Sequence, residues 1–369
     1  MADLPRLPAA LEHRFLRFVC GLPPRLQRLL FGAPPVVDGQ RLASDVHALL
    51  RIAEIFRGDS LANRNEPRAA RRDRLGEAAI VAHRPPIPMA KVDSLEISGP
   101  AGPIGARLYT PLRPLRNPHP PLAAAGAPAT QSVDSPLLVY FHGGGWVIGD
   151  LDTHDDPCRF LAAHSGVKLL AVDYRLAPEH PFPAAVEDAW VAYEWVVANG
   201  ERLGADPRRI GVGGDSAGAN LAAALCLTAR DADAPPPAMQ LLIYPVTDVA
   251  AEAPSRQTFG EGFLLTRGDM DWFERHYLPP GVDRTDPRVS PLRAPDLSNL
   301  PPAYLAVAGF DPLRDEGLAY AERLREAGNS VALSLDPGLI HTFANLPAVC
   351  PSARAAVLEA AGALRMGLG

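Results

Sequence analysis

Apolar stretches alternate with Ala-rich or amphipathic stretches through most of the chain after residue 137. The apolar runs predict strands at 137–141, 168–173, 210–212, 239–246, 303–309 and 330–335. The intervening patterns predict helices at 184–198, 217–229, 315–327 and 353–366. Continuously apolar strands that are separated by helices are typical of a mostly parallel sheet covered on both faces. The pattern therefore predicts an α/β fold, with a mostly parallel central sheet flanked by helices.

The first 90 residues carry a different pattern, in which apolar residues recur at the spacing of an amphipathic helix. One apolar stripe runs from Leu42 to Phe56, and a shorter one runs from Leu11 to Leu22. The segment holds 14 arginines and 9 acidic residues, which gives a local charge of +5. A basic amphipathic segment either lies on a membrane surface or covers the core and the substrate cleft as a cap. We predict a helical cap at 1–90 and a catalytic domain at 91–369.

Three segments of the predicted catalytic domain depart from the alternating pattern. Residues 92–109 form short runs around a Gly/Pro turn, which predicts a two-stranded hairpin. Residues 111–136 are rich in Pro and Ala and have almost no periodicity, which predicts a surface loop. Residues 248–291 combine glycines with aromatic residues, and we predict that this insertion contributes to the cap.

The composition and the cysteine spacing argue against a nucleic-acid-binding, disulfide-rich or membrane-spanning protein. The formal charge of −6 on 369 residues is too small to indicate a nucleic-acid partner. The four cysteines are widely spaced, so we expect neither a disulfide framework nor a metal site. Because neither a leader pattern nor an apolar run of spanning length is found, we expect a cytoplasmic protein without stable membrane insertion. No cofactor is expected, and a homodimer is left open.

The chemistry centres on residues 214–218, Gly-Asp-Ser-Ala-Gly, which lie between a predicted strand and a predicted helix. In a Gly-x-Ser-x-Gly turn, the serine has strained backbone angles and the flanking glycines relieve the crowding. With 31 glycines in the chain, the pattern arises by chance in about one such sequence in ten, so other motifs must support it. We predict that Ser216 is a nucleophile, which then requires a base, an acid that orients the base, and donors to an oxyanion.

The donors are predicted in residues 142–145, His-Gly-Gly-Gly, directly after the strand at 137–141. Consecutive glycines let backbone N–H groups face a ligand, and we place the oxyanion hole at Gly143, Gly144, Gly145 and Ala217. A phosphate-binding loop is the rival interpretation, but no Gly-Lys-Ser/Thr continuation follows. His142 is expected to anchor this loop rather than to act as a base, and Asp215 is expected to support the site.

The acid and the base are sought after the later strands. Asp311 follows the strand at 303–309 and precedes a proline, which favours a loop position over a helical one. The competing acids are Asp315, Glu316 and Asp336, and we choose Asp311. His341 is the only histidine that follows both the serine and the aspartate. Ser216, Asp311 and His341 therefore stand in the chain order of α/β-hydrolases.

The sequence resembles the bacterial hormone-sensitive-lipase-like esterases, also called family IV, of the α/β-hydrolase fold. The matching motifs lie at 142–145, 173–179, 214–218, 311–316 and 341–343, in the order of that family. The Gly-Asp-Ser-Ala-Gly form of the turn resembles the larger of its two subgroups. The resemblance implies a Ser216/His341/Asp311 triad, a helical cap and a carboxylic ester with a short or medium acyl chain as the substrate.

Five other functions stay open at this point. An amidase, a lactonase and an acyltransferase use the same triad, so the residues do not separate them from an esterase. A non-catalytic small-molecule receptor on the same fold is expected to lack a triad member, and here all three are present. A lipase that acts at a membrane surface is suggested by the basic N-terminal stripe alone.

Overall fold

The computed structural model describes residues 8–56, 66–115 and 135–369. Within those ranges, no helix combines the length and the apolarity needed to cross a bilayer. The helices are α1 Ala9–Cys20, α2 Pro24–Phe31, α3 Ser44–Phe56, α4 Pro67–Val81, α5 Asp155–Ser165, α6 Ala184–Ala198, α7 Gly200–Leu203, α8 Ala217–Asp231, α9 Pro254–Thr258, α10 Arg267–Tyr277, α11 Arg314–Glu326 and α12 Pro351–Leu368. The strands are β1 Val36–Val37, β2 Gln40–Arg41, β3 Lys91–Gly99, β4 Gly102–Thr110, β5 Ser135–Phe141, β6 Lys168–Asp173, β7 Ala205–Asp215, β8 Gln240–Ile243, β9 Ala303–Phe310 and β10 Val331–Ile340.

Eight strands form one sheet in the order β10-β9-β8-β7-β5-β6-β4-β3. The six strands from β10 to β6 are parallel, and the β3/β4 hairpin joins them antiparallel at one edge. β5, β8 and β9 are buried along their whole length, as expected for strands covered by helices on both faces. The predicted α/β fold with a mostly parallel sheet is confirmed.

Several predicted boundaries differ from the observed ones. β7 extends over Ala205–Asp215, and β10 continues to Ile340, directly before His341. Of the predicted loop at 111–136, residues 116–134 lie outside the described part, while Ser135 already belongs to β5. The pattern missed α5, whose first turn contains a proline. Proline is tolerated there because the first turn of a helix does not use its N–H groups internally.

The N-terminal helices pack onto the sheet domain through apolar and polar contacts. Val46, Leu49 and Leu50 of α3 are buried in the same apolar cluster as residues of α12. Asp45 accepts hydrogen bonds from the backbone N–H and the hydroxyl of Ser352, at 2.7 and 2.8 Å. The first turn of α3 is thereby joined to the first turn of α12.

All four cysteines are buried, and none of them forms a disulfide bond.

The insertion at 248–291 is held to the sheet domain by a buried ion pair. Arg256 Nη2 lies 2.8 Å from Glu316 Oε2, and both side chains are almost fully enclosed. The other oxygen of Glu316 accepts the N–H groups of Thr247 and Asp248, at 2.8 and 3.2 Å. Burial raises the pKa of Glu316 to about 7, although Arg256 opposes that shift. The ion pair and the two N–H groups together join the start of the insertion to the first turn of α11.

Candidate active site

Ser216 lies at the corner between β7 and α8, at the C-terminal edge of the sheet. Its backbone has φ 54° and ψ −118°, a sparsely populated region for a residue with a side chain. The corner is held from both sides, because the Ser216 N–H donates to the Ile243 carbonyl at 2.9 Å and its carbonyl accepts the Asn220 N–H at 3.0 Å. The strained conformation predicted from the sequence is present, and it presents the hydroxyl above the strand ends.

The glycine at the end of the motif is required by a close backbone approach. A Cβ atom on Gly218 would lie 1.9 Å from the carbonyl oxygen of Phe141 in the neighbouring strand β5. That separation is far below a van der Waals contact, and the obstacle is backbone that cannot rotate away. The glycine therefore lets α8 begin directly against β5, which fixes the height of the serine above the sheet.

The three predicted catalytic residues meet although they are far apart in the chain. His341 Nε2 lies 3.0 Å from Ser216 Oγ, and His341 Nδ1 lies 2.8 Å from Asp311 Oδ2. The second oxygen of Asp311 accepts the N–H of Leu313 at 2.8 Å, which orients the carboxylate. All three side chains are buried, with 0%, 3% and 9% exposure for Asp311, His341 and Ser216. They form a continuous hydrogen-bonded chain from carboxylate to imidazole to hydroxyl.

The three competing acids have other partners or positions. Asp315 accepts the N–H of Ser255 at 2.8 Å, and Glu316 pairs with Arg256. Asp336 lies inside β10 with an oxygen that meets no hydrogen-bond donor in the described part of the chain. Of the four candidates, the structure places only Asp311 against the imidazole of His341.

The glycine loop at 142–145 lies beside the serine, but its members have different roles. The N–H of Gly143 donates to Asp215 Oδ1 at 3.0 Å and so does not face a ligand, contrary to our prediction for this residue. The N–H groups of Gly144, Gly145 and Ala217 meet no acceptor among residues 8–56, 66–115 and 135–369. Gly144 and Gly145 have φ 117° and 59°, a left-handed range that glycine adopts without strain. The structure leaves three donors for a developing negative charge.

Asp215 ties the serine corner to the glycine loop. Besides the Gly143 N–H, it accepts the hydroxyl of Tyr140 at 2.8 Å, and His154 Nε2 lies 3.6 Å from its other oxygen. Burial alone would raise the pKa of Asp215, but His154 and the Tyr140 hydroxyl lower it to about 2. The carboxylate therefore stays ionised at neutral pH. By accepting the Gly143 N–H, Asp215 holds the glycine loop beside the corner that carries Ser216.

We expect Asp215 to make the stability of the fold depend on acid. Its pKa of about 2 in the folded state lies below the reference value of 3.8 for the unfolded chain. The resulting stabilisation, about 2 kcal/mol, is present above roughly pH 4 and is lost as the pH falls towards 2. Urea unfolding at neutral and acidic pH should show a smaller loss for Asp215→Asn than for the wild type. An identical loss in both proteins would contradict the assignment, whatever the absolute stability of the variant.

His142 anchors the glycine loop from inside the protein. Its Nδ1 donates to the Gly143 carbonyl at 2.8 Å, and its ring stacks on Tyr174 with a centroid distance of 4.3 Å. The Tyr174 hydroxyl in turn donates to the His142 carbonyl at 2.7 Å. Burial, together with the nearby His154, lowers the pKa of His142 to about 4. A neutral, enclosed imidazole of this kind stabilises the loop, and its Nε2 makes no hydrogen bond to any residue of the described part of the chain.

Helix α10 of the insertion presses two aromatic rings against the same loop. A Cβ atom on Gly145 would lie 2.2 Å from the ring of Phe273, so that ring covers the face of Gly145 directly. One turn later, Tyr277 stacks on Trp146 with a centroid distance of 4.3 Å and an angle of 7° between the rings. The sequence showed these aromatics only as part of a cap. Their contacts with Gly145 and Trp146 depend on the tertiary structure.

A cavity of about 680 Å³ opens over Ser216 and His341. Its walls come from the glycine loop, from α1, α3 and α4, and from the insertion. The apolar lining includes Leu49, Leu50, Leu264, Leu265, Met270 and Phe273. Among the residues that the structure describes, no group of three His, Cys, Asp or Glu side chains could hold a metal ion. The site consists of a serine hydroxyl, an imidazole, a carboxylate and backbone N–H groups beside a cavity with many apolar residues in its lining.

The relatives and the solved structure that resemble this chain are named as ester hydrolases. A family model described as alpha/beta hydrolase fold matches residues 138–345. The carboxylic ester hydrolase LipN of Mycobacterium tuberculosis is 44% identical over 93% of this chain and 88% of its own length. The ethyl acetate hydrolase of Pseudomonas putida is 41% identical over 70% of this chain and 79% of its own. Among solved structures, the ester-hydrolase EH1AB1 from the metagenome of Lake Arreo has a TM-score of 0.79 and 39% identity, covering 88% of this chain and 98% of that chain.

Proposed function

The chain belongs to the hormone-sensitive-lipase-like esterases of the α/β-hydrolase fold, and we propose that it hydrolyses carboxylic esters through an acyl-enzyme on Ser216. The proposal rests on one observation above all, the continuous hydrogen-bonded chain from Asp311 through His341 to Ser216. A serine hydroxyl is a weak nucleophile until an adjacent base takes its proton. The imidazole of His341 lies at the distance that this proton transfer requires.

The first half of the reaction acylates the serine. Ser216 Oγ attacks the ester carbonyl while His341 Nε2 accepts the hydroxyl proton. Asp311 accepts a hydrogen bond from Nδ1–H and stabilises the imidazolium that forms. The tetrahedral oxyanion accepts hydrogen bonds from the N–H groups of Gly144, Gly145 and Ala217, each of which lowers the barrier by about 3 kcal/mol. His341 then protonates the departing alcohol, and the acyl group stays on Ser216.

The second half repeats the cycle with water. His341 removes a proton from a water molecule as it attacks the acyl carbonyl, and the same three N–H groups hold the second oxyanion. Collapse of this intermediate returns the proton from His341 to Ser216 Oγ and releases the carboxylic acid. Every step uses groups of this chain together with water.

The cavity supports esters with short or medium acyl chains. Its lining includes many apolar side chains, and a volume of about 680 Å³ must hold both the acyl and the alcohol portions. A profile of p-nitrophenyl esters from acetate to palmitate tests this proposal. We expect the highest kcat/KM for the shorter esters and covalent labelling of the protein by a fluorophosphonate. A protein that neither hydrolyses p-nitrophenyl butyrate nor reacts with the fluorophosphonate would contradict the proposed function. Faster turnover of matched amides or thioesters would favour a different acyl transfer on the same site.

Phe273 is expected to act as a positioning residue for the oxyanion donors. Phe273→Ala removes the ring that covers Gly145, so the N–H of Gly145 loses its fixed orientation. We expect kcat for p-nitrophenyl butyrate to fall about tenfold or more, with a smaller change in KM. Inhibition by a boronic acid, which forms a tetrahedral adduct with the serine, should weaken in parallel, and Phe273→Leu should restore part of both. A change in KM alone would mean that Phe273 is only a wall of the cavity.

The cytoplasmic location stays a prediction from the sequence, and the possible homodimer stays open. The expected partner is a small-molecule ester, and nothing in the proposed reaction requires nucleic acid.

A further inference from the structure

Helices α1 and α2 present large apolar side chains to solvent. In the described part of the chain, 6 of the 13 exposed large apolar residues belong to these two helices. We call them the N-terminal apolar surface: Leu11 (49% exposed), Phe15 (46%), Phe18 (68%), Leu26 (46%), Leu29 (80%) and Leu30 (62%). Single exposed apolar residues are ordinary, but a concentration of this kind marks an interaction site.

The exposed residues follow helical spacing and are separate from those that pack α1 and α2. Leu11, Phe15 and Phe18 are spaced i, i+4 and i+7 along α1, whereas Leu16, Val19 and Cys20 of the same helix are buried. On α2 only Gln27 is buried, and its amide donates to the carbonyls of Val19 and Cys20 at 3.2 and 2.8 Å. Both helices are therefore already attached to the protein, and their exposed apolar residues take no part in that attachment.

Four exposed arginines accompany this surface. Arg14 and Arg17 lie on α1, and Arg25 and Arg28 lie on α2. None of the four pairs with a carboxylate of the described residues, and the only acid of the two helices is Glu12. His13 is buried against the Ile80 carbonyl, and burial lowers its pKa below 6.5, so it adds no charge at neutral pH. The two helices together carry a formal charge of +3.

We propose that the N-terminal apolar surface binds the surface of a bilayer that contains anionic phospholipids. An amphipathic helix that combines large apolar residues with arginines lies in the interface, with the apolar side chains at the acyl boundary and the guanidinium groups on phosphates. A second copy of the chain fits less well, because two such surfaces would bring eight arginines together. The mixture of exposed apolar residues and arginines matches one partner chemistry, a negatively charged lipid surface.

The surface is continuous with the cavity over Ser216. Phe15 belongs to both, and Ala9, Glu12 and Leu16 of α1 also line the cavity. Bound to a bilayer through α1 and α2, the protein would hold this wall of its cavity next to lipid, where apolar esters concentrate. This consequence for substrate supply rests on the proposed function. The binding itself does not, since it requires no hydrolysis.

Co-sedimentation of the full chain with sucrose-loaded vesicles tests the binding. We expect binding to phosphatidylcholine vesicles that contain phosphatidylglycerol, weaker binding to phosphatidylcholine alone, and a decline with added salt because the Debye length shortens. Phe18→Asp/Leu29→Asp and Arg17→Gln/Arg28→Gln should each lower the vesicle partition coefficient by about tenfold or more. The matched control is Leu112→Asp/Met366→Asp, which changes residues that are 61% and 85% exposed elsewhere, and it should bind like the wild type.

Hydrolysis of a soluble ester is measured in parallel to separate binding from folding and catalysis. All three double variants should keep the p-nitrophenyl butyrate rate of the wild type, since none of them changes Ser216, His341 or Asp311. Absence of vesicle binding by the wild type, or binding that both surface variants retain, would overturn the proposal. A dimer in light scattering that Phe18→Asp/Leu29→Asp dissociates, without any vesicle binding, would assign the surface to a second copy instead.

Discussion

Ser216→Ala is expected to lower kcat for p-nitrophenyl butyrate by about 10⁶-fold, the scale seen when a triad serine is removed. The substitution deletes the one oxygen that His341 Nε2 faces at 3.0 Å, so no acyl-enzyme can form. The backbone corner should survive, because the hydrogen bonds that hold it come from the Ser216 main chain and not from its hydroxyl. We therefore expect a folded protein without covalent labelling by a fluorophosphonate.

The control for this variant is Ser94→Ala, which removes an exposed hydroxyl from strand β3 on the far edge of the sheet. It should retain full activity and full labelling. Thermal unfolding of both variants, followed by circular dichroism, checks that lost activity is not lost structure. If Ser216→Ala kept its rate within tenfold of the wild type, a different residue would have to be the nucleophile.

Asp311→Asn is expected to lower kcat by about 10⁴-fold, a barrier increase of about 5 kcal/mol. The amide keeps the size of the side chain but replaces a negative acceptor with a neutral group. His341 then loses the partner that holds the proton on Nδ1, and the imidazolium loses its stabilising charge. KM should change far less than kcat, because Asp311 is fully buried beneath His341 and lines no part of the cavity wall.

Asp336→Asn is the matched control for the acid, since Asp336 competed with Asp311 in the sequence. Burial and the nearby Glu359 raise the pKa of Asp336 to about 6, yet it makes no hydrogen bond to the imidazole. We expect this variant to hydrolyse p-nitrophenyl butyrate at the wild-type rate. A loss of kcat in Asp336→Asn that equals the loss in Asp311→Asn would contradict the assignment of the acid.

Much of the fold could be predicted because its signals are local. The strand at 168–173 needs no partner to be recognised, and its predicted bounds match β6. The turn at 214–218 specifies its own geometry, since the strained serine and the glycine at Gly218 are consequences of one backbone corner. Where the local signal was weak, as at α5 with its early proline, the prediction failed.

The roles inside the glycine loop could not be predicted in the same way. Gly143, Gly144 and Gly145 are chemically identical, and their N–H groups differ only in what lies opposite them. Asp215 takes the first N–H, whereas Phe273 covers the face of Gly145. Both neighbours come from distant parts of the sequence, so the number of free donors follows from packing.

The sequence by itself determined the candidate residues of the site, their order in the chain, and the α/β alternation that places each of them after a strand. Those features depend on residue type and on short-range backbone preferences, which a linear pattern records. Only the tertiary structure decided which carboxylate faces His341, which backbone groups remain unpaired, and how α10 presses on the glycine loop. Contacts of this kind join residues far apart in the chain, and they are set by the packing of whole helices and strands, which no local pattern encodes.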